Sequence, residues 1–93
     1  MRRVRFRAVS DTPRQSDSLD ITEVEDGLVI FEPTSRRVHH LNVTATLVFE
    51  LCTGDNSVDQ IADIVRTAFG VPDTDAAEII AVVESLRAEK LVV

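Results

Sequence analysis

The chain has 93 residues, 44% of them apolar and 28% charged, a composition that gives one globular domain and excludes a disordered chain. Apolar runs such as Leu28 to Phe31 are too short for a membrane span, and the single cysteine, Cys52, excludes an intrachain disulfide or a Cys-based zinc knuckle. The net charge of −6 is uneven: in residues 1–14 five arginines stand against Asp11 alone, for +4, and the other 79 residues carry −10.

An acidic body repels phosphate backbones, and a chain with four Phe, no Trp and no Tyr has few platforms on which bases could stack. Arg5 and Arg7 occupy the place of a signal peptide's apolar region, so a cytoplasmic protein is expected.

In chain order, Val4, Phe6 and Ala8 alternate with Arg3, Arg5 and Arg7. Period two predicts an extended arm with one apolar and one basic edge, either paired in the sheet or only weakly held. Residues 10–18 are polar and contain a proline, as in a linker. Residues 1–18 are therefore read as arm and linker, and 19–93 as the domain.

Three strands are expected next. Leu19–Glu25 holds Ile21, Thr22 and Val24; Asp26-Gly27 makes a tight turn; Leu28–Phe31, apolar on both faces, is the central strand. Pro33-Thr34-Ser35 breaks it before a third strand, Arg36–Leu41. Connections this short make the sheet antiparallel.

The period then changes to about 3.6. Asn42 caps a helix over Val43–Thr53 that is apolar nearly all round and stops at Gly54. Ser57 and Gln60 form a capping box for a second helix, whose stripe is Val58, Ile61, Ala62, Val65 and Phe69, ended by Gly70 and Pro72. A third helix, capped by Asp73 or Thr74, runs to about Lys90 with Ala76, Ile79, Ile80, Val83 and Leu86 on its apolar face. Leu91-Val92-Val93 packs back on the core. The expected class is α+β: a three-stranded antiparallel sheet followed by three helices, a winged-helix-like order.

Catalytic constellations are sparse. The only lysine is Lys90, and no Gly-rich phosphate loop is present. His39 and His40 are strand neighbours, so they point to opposite faces and chelate no metal together. Cys52 has no cationic neighbour in sequence to stabilise a thiolate and reads as a small buried hydrophobe. Neither a catalytic set nor a cofactor is expected. The third strand is the more informative feature. As the last of the series it lies at a sheet edge, where unpaired N–H and C=O groups accept another strand. Either a peptide adds there, with the third helix flooring a groove, or residues 3–9 of the arm close the edge.

Residues 38–62, V-H-H-L-N-V-T-A-T-L-V-F-E-L-C-T-G-D-N-S-V-D-Q-I-A, resemble the PqqD-like family. The shared pattern is Leu41-Asn42, Thr44-Ala45, Leu51, Gly54, Val58 and Ile61-Ala62; Gly27–Pro33 and the closing E-S-L-R-A-E-K-L-V are similar too. The resemblance spans roughly residues 19–93. It implies a non-catalytic adaptor that binds the leader of a ribosomally made precursor peptide by strand addition. The adaptor presents that peptide to a modifying enzyme such as a radical SAM protein, or to a leader peptidase. By position it implies contacts at Arg37, Val38, His39, His40 and Leu41, and on the third helix at Ile80, Val83, Glu84 and Arg87. The apolar-basic arm also leaves room for a homodimer.

The competing reading is a small winged-helix DNA-binding regulator. Against it, residues 74–90 carry −2, with four acids against Arg87 and Lys90, and offer few side chains suited to base edges. No nucleic-acid or membrane partner is expected.

Overall fold

The structure is a computed structural model that describes residues 11–69 and 76–93. The expected arm at residues 3–9, the Gly70–Pro72 helix stop and the Asp73 or Thr74 cap lie outside the described residues.

Strands β1 (Asp20–Val24), β2 (Gly27–Glu32) and β3 (Arg37–Leu41) form one antiparallel sheet in that order. Helices α1 (Val43–Leu51), α2 (Val58–Phe69) and α3 (Ala76–Ala88) follow. This is the expected α+β order of three strands and then three helices. Leu28, Ile30 and Leu41 point from the sheet into the core, where they meet Val48 and Phe49 of α1, Ile61, Ala62 and Val65 of α2, and Ile79, Val83 and Leu86 of α3. Fully burying each of the larger apolar side chains stabilises the fold by about 1.5–3 kcal/mol, so β2 and α1 hold the centre.

The caps form as read. The Ala45 N–H donates to Asn42 Oδ1 at 2.8 Å. Ser57 and Gln60 exchange both capping-box bonds, at 2.8 and 3.1 Å. Two helix ends differ from expectation. Helix α1 stops at Leu51, before Gly54, because its last turn is drawn into pairing with the linker: the Gln15 N–H takes the Cys52 carbonyl at 3.0 Å, and Arg14 bridges to Thr53. Helix α3 stops at Ala88 in a Schellman-type turn. Lys90 is left-handed (φ 63°), its N–H donates to the Arg87 carbonyl, and the Leu91 N–H donates to the Leu86 carbonyl, both at 2.9 Å. Leu91 and Val92 then fold back into the core, as expected.

The expected linker is pinned at its centre. Arg14 and Val93 exchange two backbone bonds (3.0 and 2.7 Å), the Ser16 N–H donates to the Leu91 carbonyl, Gln15 Nε2 donates to the Phe49 carbonyl, and Pro13 is buried. Phe69, expected on the inner stripe of α2, is 40% exposed at the end of that helix.

Candidate functional site

Strand β3 is a sheet edge: among the described residues only β2 pairs with it. The register sets its two faces. His39 and Leu41 lie opposite Ile30 and Leu28 on the helix side, while Val38 and His40 lie opposite Phe31 and Val29 on the other. Val38 is 65% exposed and Leu41 is buried, as this alternation requires.

Helix α3 reaches this strand through side chains and not through close backbone approach. No β3 Cα comes within 8 Å of an α3 Cα, although both elements pack on α1. A helix layer ordinarily lies about 10 Å from a sheet, and here the side chain of Glu89 spans that distance to Arg37 and His39. The elements run antiparallel along the gap. At one end Arg37 Nη2 reaches Glu89 Oε1 at 2.6 Å. At the other end, just past Leu41, a cavity of about 320 Å³ opens between Thr44 of α1, Val65 and Phe69 of α2, and Ile79 and Val82 of α3, with Arg66 and Glu78 at its rim. That size is at the small end for ligand pockets and suits one large apolar side chain better than a metabolite.

The histidines separate as strand geometry dictates. His39, with its side chain 11% exposed, sits between Glu32 (Nε2 to Oε1, 3.4 Å) and Glu89 (Nδ1 to Oε1, 3.7 Å). His40 lies outside, 3.3 Å from Asp26. Cys52 is fully buried; its Sγ donates to the Val48 carbonyl at 3.1 Å, and burial pushes its thiol up to about 11 against a partial pull from Arg87. A thiol held protonated in this way is no nucleophile at neutral pH.

The residues expected at the site divide into groups. Arg37, Val38, His39, His40 and Leu41 lie together on β3. On α3, Val83 is in the core at 1% exposure, Glu84 is exposed and Ile80 is half-buried. Arg87 is turned to Asp11, with Nη2 to Oδ1 at 2.6 Å and Nη1 to Oδ2 at 3.3 Å. This pairing holds the Asp11 carboxyl below its usual range and raises the Arg87 guanidinium further. Ile80 and Arg87, seven residues apart, share one flank of the helix; Val82 and Glu89 share the other. It is Glu89 that touches β3, and Val82 that lines the cavity. Sequence reasoning did not place Glu89, Val82 or Thr44 in the site. The only available signal was the register of β3 against α3, which no local spacing carries.

Residues 27–92 match the family model described as coenzyme PQQ synthesis protein D, PqqD. No curated protein matches the chain. Among solved structures, the chain is similar to "Lasso peptide synthetase B1 complexed with the leader peptide", with a TM-score of 0.70 and 20% identity over 88% of this chain and 98% of that one. At that identity the likeness is one of fold.

Proposed function

Because the chain belongs to the PqqD family, we propose that it is a peptide-binding adaptor, without catalysis of its own, that takes up the leader of a ribosomally synthesised precursor peptide. The observation that carries this reading is the edge of β3, which no described strand pairs on its outer side, with an apolar cavity beyond its Leu41 end. The leader adds as a fourth strand: main-chain bonds to Arg37, Val38, His39, His40 and Leu41 supply affinity, and alternate side chains supply specificity. One of its apolar side chains fills the cavity at Thr44, Phe69 and Val82. Ile80, Glu84 and Arg87 on the far flank of α3 stay outside the groove unless the leader continues around the helix.

The bound peptide is then handed to a modifying enzyme, such as a radical SAM protein, or to a leader peptidase. The similar fold solved as a lasso peptide synthetase with its leader supports the first step. A cytoplasmic setting accords with ribosomal supply of the precursor, and among the described residues no helix is long and apolar enough to cross a membrane.

The test is an amide NMR titration of labelled protein with the leader of the nearest short precursor gene. Shifts concentrated on residues 36–44, 78–82 and 89 are expected. Shifts confined to another surface, or none alongside clear binding of duplex DNA, would overturn the reading.

A further inference from the structure

We propose that the face of the sheet turned away from the helices docks a second copy of this chain, giving a weak two-fold dimer. The dimer leaves both β3 edges unpaired, so it stands apart from the adaptor reading and its test needs no leader.

The register divides the sheet into two faces. The rows Ile21–Ile30–His39 and Glu23–Leu28–Leu41 lie on the helix side. The rows Asp20–Phe31–Val38 and Thr22–Val29–His40 lie on the other, with Val24 beside Gly27 at the end. Among the described residues only α1 packs closely on the sheet, and the buried core takes Leu28, Ile30 and Leu41 from it. An antiparallel sheet that leaves one face to water carries polar residues there. This face instead carries Val29, Phe31 and Val38 side by side, Val38 being exposed and the other two half-buried.

Charge selects the occupant. Asp20 stands at the β1 end of the first row and Arg36 just before Val38 at its β3 end; both are exposed, and among the described residues neither is in an ion pair. A two-fold axis along β2 stacks β3 of one copy over β1 of the other. Phe31 then meets Phe31 and Val29 meets Val29 at the centre, while each Arg36 comes over an Asp20, twice by symmetry. Stacked sheets lie about 10 Å apart, a gap that an arginine and an aspartate bridge between them. An axis across the strands would instead set Asp20 over the Glu25-Asp26 turn, like charge on like. The face is therefore complementary to itself in one arrangement. Three strands of five residues give a footprint of about 14 by 17 Å, roughly 240 Å², against about 800 Å² per partner in a standard interface. The dimer is accordingly weak, and the net charge of −6 on each copy opposes encounter at low salt.

The experiment is sedimentation equilibrium of the full chain from about 10 μM to about 1 mM, at about 0.15 M salt, where the Debye length is about 8 Å. The mass of wild type is expected to rise from 10.3 kDa toward twice that value. Val38→Lys, Arg36→Asp and Asp20→Arg change exposed side chains, so each should fold, as circular dichroism checks, and each should associate at least tenfold more weakly. Arg36→Asp combined with Asp20→Arg restores both ion pairs and should associate within about threefold of wild type. A mass that stays at 10.3 kDa throughout would overturn the proposal; amide shifts of Phe31 and Val38 on deleting residues 1–10 would then give the face to that segment. A dimer that all three single variants leave intact would overturn it too, and would place the contact elsewhere. So would a double variant no tighter than the singles. Failure of a leader to bind would end the adaptor reading and leave this one standing.

Discussion

Gly27→Ala tests how the edge strand is seated. Gly27 opens β2 with φ at +151°, and a Cβ there would fall 1.8 Å from the carbonyl oxygen of Leu41 and 3.1 Å from Thr46 Oγ1. A carbon–oxygen contact needs about 3.3 Å, so the end of β3 must retreat by about 1.5 Å. Leu41 is buried, pairs with Leu28, and accepts the Thr46 hydroxyl at 3.3 Å, so little around it gives way. An L-residue held in that backbone region costs about 1–3 kcal/mol, and displacing a packed segment costs about 1–3 kcal/mol more. The sum, about 2–6 kcal/mol, is a large share of the roughly 5–14 kcal/mol expected for a domain of this length. Gly54→Ala is the matched control. Its φ is +92°, but its nearest neighbours are Arg14 side-chain carbons at 3.6 Å, an ordinary contact, so only the backbone cost of about 1–2 kcal/mol applies. Urea unfolding followed by circular dichroism should place the Gly27→Ala midpoint below that of Gly54→Ala by about 1 M or more. At native concentrations Gly27→Ala should also bind leader more weakly. A Gly27→Ala protein no less stable than Gly54→Ala would refute the argument that this close approach seats β3.

Lys90 holds a left-handed turn at the end of α3 that glycine adopts without penalty, so Lys90→Gly should raise stability by about 0.5–1 kcal/mol in a thermal melt. The lowered Asp11 carboxyl contributes stability that is complete above its unfolded value of about 3.9 and is lost as pH falls through the folded value. Both partners are partly exposed, so Asp11→Asn should cost no more than about 1 kcal/mol at pH 7 and should flatten that acid limb in pH-dependent unfolding. With its thiol at about 11 and no exposed surface, Cys52 should react with an aromatic disulfide reagent only at the rate of opening, and stoichiometrically in denaturant. The two flanks of α3 should differ in leader binding by calorimetry: Val82→Asp weakens it at least tenfold, about 1.4 kcal/mol, and Ile80→Asp changes it less than threefold; the reverse order would move the groove to the other flank.

What the sequence made legible follows from how each feature is encoded. The Asn42 cap and the Ser57–Gln60 box are local side-chain-to-backbone codes, and both formed where they were read; the hairpin turn, read at Asp26-Gly27, falls one residue earlier on Glu25-Asp26, because Gly27 already pairs with Val24. The order of three strands and three helices followed from the change of period at Asn42. The early end of α1 and the pinning of Pro13–Ser16 were not legible, because backbone pairing between residues about 40 to 80 positions apart leaves no side-chain signature. The candidate site shows the same boundary. An edge strand could be inferred from its position in the series. Helix α3, however, buries Ile79, Val83 and Leu86, and a stripe of that kind has two flanks that periodicity treats alike. What distinguishes them is the Glu89 contact to Arg37 and His39, a tertiary relation across 52 and 50 positions. The surface that faces β3 is therefore set by how α1 spaces the helix from the sheet, which depends on the packing of Val48 and Phe49 and not on any motif in α3 itself.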